Sequence, residues 1–329
     1  MPWEMLGVVE DIKPSSLSHP RGIKFTIQRG NFLMRLPNLF LIGAQKGGST
    51  KLFRYLQQHP QIATLGAKEP NIFCADDEAE ARRRLAKVGL VDESPRYLID
   101  GSVNNSRYPR CPDTARHIHA ICNGQAPRFV YIMRHPVERL ISNYFWNRDR
   151  YGEHRTLMEA VEQDPQYIYT SQYDLQIQAF SEYFDLSQFC FLSFDDFVAD
   201  SNATAGRVFD WLGLEPIELQ SVGRTGTETN KVSTRQARFP LINRIVRSSP
   251  GLRKAINTYV PQSWIGALAS GLSQDVERPK VDLATKRELL ECHFMKSIVA
   301  TQQLTGLALE SWLEAYQPHE TATCDHCLA

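Results

Sequence analysis

The sequence lacks an apolar run long enough to cross a bilayer, and it has no excess of charge of either sign. Its 329 residues contain 37 Lys and Arg against 37 Asp and Glu, so any anion site must be built locally. It also contains no internal repeat and no low-complexity tract. These absences favour a soluble globular protein, with neither nucleic acid nor stable membrane insertion expected.

Cysteine is scarce, with seven scattered residues, an odd number that is typical of a reducing compartment rather than of a disulfide framework. The first residues lack the basic segment and apolar core of a signal peptide. We therefore expect a cytoplasmic protein. Cys324 and Cys327 have C-x-x-C spacing, but without a second pair they predict no metal site.

Strand patterns alternate with helix patterns along the chain, which predicts an α/β fold. The continuous apolar strand 128–133 indicates a central, mainly parallel sheet in a three-layer structure. We expect an N-terminal extension at 1–35, one domain at 36–318 and a polar tail at 319–329. Within the domain, residues 223–279 are basic and loop-like, and we interpret them as a lid or acceptor-binding insert.

The stretch from Leu36 to Leu56 predicts a phosphate-binding loop. A buried strand is followed by a glycine-rich turn, Gly43 to Gly48, and by a helix that begins at Ser49 or Thr50. Backbone amides at such a helix start form an anion site. The P-loop pattern G-x-x-x-x-G-K-[ST] fits except that Ser49 replaces its lysine, and the nearest earlier lysine is Lys46. This displacement disfavours a Mg²⁺-nucleoside triphosphate, which requires the usual lysine.

A second candidate site follows the strand at 128–133. Arg134 closes this strand, and Ser142 lies two helical turns later on the same side. A guanidinium fork with a hydroxyl group matches a compact phosphate monoester. The alternative interpretation is a helix with a capping arginine and a surface serine.

These motifs resemble those of the sulfotransferases. Residues 39–52 (LFLIGAQKGGSTKL) resemble the 5′-phosphosulfate-binding loop, and residues 134–144 (RHPVERLISNY) resemble the 3′-phosphate-binding motif. Residues 68–73 (KEPNIF) are similar to the Lys-Glu-x-x-Phe-Phe element of heparan-sulfate-type and related bacterial members. Residues 304–312 are similar to their closing helix. The resemblance covers about residues 36 to 315.

The resemblance implies a sulfotransferase of the EC 2.8.2 type. Such an enzyme moves a sulfuryl group from 3′-phosphoadenosine-5′-phosphosulfate (PAPS) to a hydroxyl group or an amine, with no metal. Lys46 would stabilise the leaving group, and Glu69 would be the general base. Arg134 and Ser142 would bind the 3′-phosphate. The other implied cofactor-binding residues are Gly47, Gly48, Ser49, Thr50 and Lys51, with Arg235 from the basic segment as a candidate that matches no family signature.

One departure from the family pattern concerns the acceptor side. Heparan-sulfate-type enzymes carry a lysine in the stretch that corresponds to residues 100–104, where this chain has Gly101 and Ser102. A second catalytic cation is therefore not expected there. Lys68 and Ser102 become the candidate acceptor contacts.

Two other functions stay open. A P-loop nucleotide kinase or NTPase predicts Mg²⁺-dependent ATP turnover. A non-catalytic nucleotide- or glycan-binding module predicts donor binding that is unchanged by Glu69→Gln. For the enzyme, the acceptor is a hydroxyl-bearing glycan, lipid, small alcohol or carrier-bound intermediate, and a homo-oligomer is compatible with each reading.

Overall fold

The computed structural model of the chain describes residues 35–88, 95–222 and 278–317, and the backbone of residues 233–237 and 273–277. Most of the predicted N-terminal extension lies outside these described residues. So do the polar tail with its C-x-x-C pair and most of the predicted insert at 223–279. The division of the chain into extension, domain and tail therefore stays a prediction.

A sheet of five parallel strands forms the centre of the fold, in the order β2-β3-β1-β4-β5. The strands are β1 (Leu39–Gly43), β2 (Ile62–Thr64), β3 (Tyr97–Asp100), β4 (Arg128–Met133) and β5 (Phe189–Ser193). Strand β1 occupies the middle, where Leu39 is in register with Ile99 of β3 and Arg128 of β4. The mainly parallel sheet that the sequence predicts is thus confirmed.

Helices cover both faces of this sheet. They are α1 (Ser49–Leu56), α2 (Glu78–Lys87), α3 (Thr114–Cys122), α4 (Pro136–Tyr151), α5 (Leu157–Gln163), α6 (Gln166–Tyr169), α7 (Tyr173–Ser181), α8 (Phe194–Ala199), α9 (Ser201–Leu212), α10 (Leu283–His293), α11 (Met295–Thr305) and α12 (Glu310–Leu313). Because side chains alternate across a strand, Leu39 and Leu41 pack with α1 and α9, whereas Phe40 and Ile42 pack with α2, α3 and α4. This two-sided burial explains the continuous apolar sequence of β1 and completes the three-layer fold.

Two helices that the sequence pattern predicts as continuous are interrupted. Asp200 adopts an extended backbone between α8 and α9, and its carboxylate accepts hydrogen bonds from the backbone amides of Asn202 and Ala203. Phe294 separates α10 from α11 without a side-chain cap, with φ at −123° and ψ at −19°. An aspartate that caps a helix start competes with helix continuation, and this local signal outweighs the apolar periodicity.

The basic segment predicted as loop-like contains two strands. Strands β6 (Ser233–Ala237) and β7 (Ser273–Glu277) pair antiparallel and form a separate two-stranded sheet, with Arg235 opposite Asp275.

A disulfide joins Cys74, after β2, to Cys111, before α3. Their Cα atoms are 5.3 Å apart, within the usual range for a bonded pair. The expectation of scattered, reduced cysteines is therefore wrong for this pair. Spacing in the sequence did not reveal it, because 37 positions separate the two residues and the sheet order brings them together. No helix in the described ranges has both the length and the apolar composition that membrane crossing requires.

Candidate functional site

The candidate site lies at the carboxyl edge of the sheet, where ligands bind in open parallel sheets. Four segments meet this edge: the loop at 44–48 after β1, the turn at 65–71 after β2, the 3₁₀ turn Val103–Ser106 after β3, and the start of α4 after β4. Both motifs that the sequence singles out, the glycine loop and the Arg134 motif, are therefore on neighbouring strands.

The loop after β1 is shaped to present backbone amides. Gly48 caps α1 with φ at 90°, a left-handed conformation, and a Cβ there would lie 2.8 Å from the Phe194 ring. Glycine is thus required at this position both by conformation and by space. The amides of Ser49 and Thr50 open α1 and have no helical carbonyl to bind, so they form the anion-binding end of the helix.

Lys46 stands on this loop in a left-handed conformation, with φ at 68°. Its ammonium group lies 5.5 Å from the centroid of the Trp146 ring. Burial, together with the positive charges of Arg278, Arg134 and Arg139, lowers the pKa of Lys46 to about 8. Four cationic side chains therefore converge beside the loop, and such a cluster favours a ligand with several negative charges.

Helix α4 lines one side of the site with residues spaced by four. The Nη2 atom of Arg134 lies 3.6 Å from the Oε2 atom of Glu138, which is in the first turn of α4. Ser142 and Trp146 continue this row by one turn each, because residues four apart share a helix face. Ser142 thus lies on the same helix face as the Trp146 ring that Lys46 contacts, and Arg134, just before the helix, reaches this face through Glu138.

Glu138 is held by residues that the motif analysis did not find. The Lys286 ammonium donates to it at 2.7 Å, and the Tyr316 hydroxyl donates at 2.8 Å. Burial raises the pKa of Glu138, but the hydrogen bonds from Lys286 and Tyr316 outweigh it and hold the pKa below its usual range. The Lys286 ammonium balances the charge of Glu138 and the Tyr316 hydroxyl donates to it, so Arg134 is one of three groups that contact this carboxylate.

Two further arginines reach the site. Arg139 is fully buried on α4, donates to Ser171 Oγ and to the Tyr167 carbonyl, and has an Nη1 without a partner in the described part of the chain. Burial lowers its pKa to about 10, so it stays charged at neutral pH. Arg278 pairs with Asp149 at 2.8 Å. The repeated arginine in RHPVER was a usable signal for Arg139, whereas Arg278 carries none.

The turn after β2 carries the predicted base. Glu69 is exposed, and its Oε1 accepts a hydrogen bond from the Lys68 ammonium at 2.6 Å. The amide of Gly101 donates to the Lys68 carbonyl at 3.1 Å, which attaches the turn to the end of β3. The structure therefore brings Glu69 to the edge that Lys46 occupies, with Lys68 as its counter-ion.

The residues after β3 shape the turn that carries Glu69. Ser102, predicted as an acceptor contact, is fully buried and accepts a hydrogen bond from the Asn71 amide at 2.9 Å. A Cβ at Gly101 would lie 2.7 Å from the Phe53 ring and 2.8 Å from the Lys68 carbonyl oxygen. This crowding accounts for the missing lysine at this place.

Lys51 points away from the other cofactor-binding candidates. Its ammonium donates to Ser201 Oγ at 2.7 Å and lies over the Phe197 ring, on the side of α8 and α9. The expectation that it binds the cofactor through its side chain does not fit this geometry. The side chain of Arg235 lies outside the described residues, so its predicted role stays a prediction. Among the described residues, no cluster of three or more His, Cys, Asp or Glu could hold a metal ion.

Comparisons with known proteins agree on one family. The model named Sulfotransferase family matches residues 73–218, which contain Arg134 and Ser142. The chain is 28% identical over 217 residues to human heparan sulfate glucosamine 3-O-sulfotransferase 6, covering 62% of this chain and 60% of that protein. The membrane-associated sulfotransferase kil1 of Dictyostelium discoideum is 29% identical over 153 residues, 44% of this chain and 29% of that one.

A solved structure has the same fold. The sulfotransferase from Alicyclobacillus acidocaldarius superposes with a TM-score of 0.55 at 18% identity, covering 84% of this chain and 99% of that one. At this identity the likeness concerns the fold alone. By contrast, the chain spans 60% or less of the length of the two relatives above.

The predicted cytoplasmic location is wrong. One relative is named a membrane-associated sulfotransferase and another a heparan sulfate glucosamine 3-O-sulfotransferase, and these relatives point away from the cytoplasm. The Cys74–Cys111 disulfide agrees with this correction, because such bonds persist mainly in oxidising compartments.

Proposed function

We propose that this chain, which is similar to members of the sulfotransferase family, transfers a sulfuryl group from PAPS to a hydroxyl-bearing acceptor. The observation that carries the proposal is the convergence of Lys46, Arg134, Arg139 and Arg278 at the amide-rich start of α1. PAPS carries a phosphosulfate and a separate phosphate. A loop of free amides with cations on two sides suits that charge distribution.

The residues of the loop would bind the 5′ end of the donor. The amides of Gly48, Ser49 and Thr50, with the hydroxyls of the last two, would hold the phosphosulfate. The Gly47 amide donates to the Ala44 carbonyl at 2.9 Å, so Gly47 would contribute by shaping the loop around the ligand. Arg134, between β4 and α4, and Ser142 of α4 would hold the 3′-phosphate. A donor with both groups would bridge the loop and α4, which ordinary adenine nucleotides do not do.

Lys46 would act on the leaving group. In the transfer, the bond between sulfur and the phosphate oxygen breaks, and a new bond forms between sulfur and the acceptor oxygen. Negative charge then develops on the departing phosphate, and a fixed ammonium group beside it lowers the barrier. A loose transition state leaves positioning and charge stabilisation as the protein's main contributions.

Glu69 would take the proton that the acceptor hydroxyl loses. Its carboxylate is exposed at the carboxyl edge, where an acceptor can approach, and it pairs with the Lys68 ammonium at 2.6 Å. A carboxylate in contact with the hydroxyl supplies general-base catalysis. The names of the relatives favour a glycan as the first acceptor class to test.

The test is a transfer assay with radiolabelled PAPS over glycans, lipids, small alcohols and carrier-bound intermediates, with mass spectrometry of the products. Labelled product supports the proposal. Donor binding without transfer to any acceptor class would instead indicate the non-catalytic module, and phosphoryl transfer from Mg²⁺-ATP would indicate the kinase.

The Lys46→Ala variant sharpens this test. Loss of one contact to developing charge costs ~3–4 kcal/mol, so transfer should fall by about 10²- to 10³-fold. Lys87→Ala removes an exposed ammonium at the end of α2 and is the matched control. Near-wild-type turnover of Lys46→Ala would contradict the assigned role.

A further inference from the structure

Hydrogen bonds from three parts of the fold converge on Asn71, two residues after Glu69. Its amide donates to Ser102 Oγ at 2.9 Å, and its carbonyl accepts from Arg84 Nη1 of α2 at 2.9 Å. Its side-chain amide donates to the Glu69 carbonyl at 3.0 Å, while its Oδ1 accepts from Asn104 Nδ2 at 2.8 Å. Every polar group of Asn71 therefore has a partner.

The backbone at Asn71 is left-handed, with φ at 52°. Asparagine is one of the few residues besides glycine that adopts this conformation readily. The chain reverses direction here and returns towards the core at Ile72 and Phe73, both fully buried. The turn that carries Glu69 is thus anchored immediately behind the carboxylate.

Arg107 fixes the orientation of both asparagine amides. Its Nη1 donates to Asn104 Oδ1 at 3.1 Å. An arginine has only donors, so the Asn104 oxygen must face it and the Asn104 nitrogen must face Asn71. The Asn71 oxygen then faces Asn104, which turns the Asn71 nitrogen towards the Glu69 carbonyl. One orientation of the whole chain of amides satisfies all of these bonds.

We propose that Asn71 and Asn104 form a positioning relay, running from Arg107 to the peptide of Glu69, that holds the general base in place for transfer. The inference rests on the proposed function, because the relay positions a catalytic group only if Glu69 is the general base of this site. Neither asparagine touches the reacting atoms; both act through Glu69. A displacement of a reacting group by about 1 Å can cost about 10²-fold in rate, so a relay of this kind has a measurable effect.

Three variants test the relay. Asn71→Gly keeps the left-handed backbone accessible but removes both side-chain bonds. Asn104→Ala breaks the link between Arg107 and Asn71, and the third variant combines the two changes. Asn202→Ala, an exposed position on α9, is the matched control.

Each single variant should lower kcat about tenfold or more and leave KM for PAPS within about twofold. The combined variant should lose no more than the larger single loss, because both changes break one relay. A loss that multiplied, or a rise in KM for PAPS parallel to the fall in kcat, would overturn the proposal in favour of general disruption of the edge.

Hydrogen exchange of the free protein provides a readout that needs no turnover. The backbone amide at position 71, which is bonded to Ser102 in the wild type, should exchange at least threefold faster in the variants. The amides of β1 and β4 should keep their wild-type exchange rates. If wild-type protein transfers sulfate to no acceptor, the proposed function fails and exchange alone decides on the relay. If exchange and kcat both stay at wild-type values, the relay is wrong and the function stands.

Discussion

Lys46 differs from the usual P-loop lysine in being on the turn before α1 and not at the helix start. Its left-handed backbone aims the side chain towards the Trp146 face of α4, where three arginines add positive charge. At this position the ammonium group is adjacent to an anion bound by the loop amides. The displaced lysine is therefore suited to a leaving group that carries its own negative charge.

The lowered pKa of Lys46 leads to a pH-dependent binding reaction. Burial and the neighbouring arginines bring this pKa to about 8, so part of the ammonium is deprotonated in the free protein at pH 8 to 9. A bound polyanion favours the charged form and raises the pKa. Binding of adenosine 3′,5′-bisphosphate (PAP) should therefore take up a proton at pH 8.5 but almost none at pH 6.5.

Calorimetry in two buffers of different ionisation enthalpy measures this uptake. The affinity should also fall as pH rises through about 8, because the free protein loses the Lys46 charge. Lys46→Ala should abolish the uptake at pH 8.5, with Lys87→Ala as control. Uptake that persists in Lys46→Ala would assign the titration to another group.

At this scale, the sequence was informative where a residue belongs to a local motif. Lys46, Arg134, Ser142 and Glu69 were found in this way, and the structure brings their segments to one edge. Arg278 was missed because its contact, Asp149, is 129 positions away and depends on the packed fold. The motif did not indicate that the Lys51 side chain lies on the side of α8 and α9, because it does not specify which side of α1 a side chain takes.

Among the elements, the strand–loop–helix unit from β1 to α1 bears the greatest constraint. Gly48→Ala would force an L-residue into a left-handed conformation and bring a Cβ within 2.8 Å of the Phe194 ring. Backbone strain and overpacking together should lower the free energy of unfolding by about 2–4 kcal/mol. Donor affinity should fall as well, because the amides of the loop would shift.

Gly206→Ala is the matched control for this substitution. Gly206 is inside α9, and a Cβ there would contact nothing within 4 Å. Alanine favours the helix, so this variant should gain about 0.5–1 kcal/mol. Urea unfolding measures both. Equal stability of the two variants would show that the geometry at Gly48 is not required.

The helices and strands themselves could be predicted wherever the apolar pattern was continuous or was bounded by glycine or proline. Strands β1 and β4 have uninterrupted apolar residues because both faces of the sheet are covered. The break at Asp200 and the strands β6 and β7 were missed. The first depends on one capping carboxylate, and the others depend on pairing between segments about 40 residues apart.

For the whole molecule, the Cys74–Cys111 disulfide links the region after the Glu69 turn to the segment before α3. A crosslink across 37 positions restricts the unfolded chain, so the double variant Cys74→Ser/Cys111→Ser should lose about 3–4 kcal/mol of stability. Cys292→Ser, at an exposed free cysteine, is the control. Urea unfolding of the oxidised protein measures this loss of stability. A double variant as stable as wild type, or a titration that finds both thiols free, would contradict it.

The whole-molecule properties were the hardest to obtain from the sequence. Fold class was predictable, because alternating strands and helices leave few arrangements. Compartment was not, because a cysteine count does not reveal which residues the fold places together. The acceptor also depends on surfaces assembled from distant segments, so the motifs identify the donor more sharply than its recipient.

The central claim is that the site recognises a nucleotide with both a 5′ and a 3′ anionic group. Calorimetric titration of the protein with PAP, with adenosine 5′-monophosphate and with ATP, each with EDTA and with Mg²⁺, tests it most directly. The account predicts that PAP binds at least tenfold more tightly than the monophosphate without Mg²⁺, since a charge-assisted contact contributes roughly 1.5–3 kcal/mol. Arg134→Ala should remove most of this preference. Equal affinities for the two nucleotides, or tighter binding of Mg²⁺-ATP than of PAP, would contradict the account.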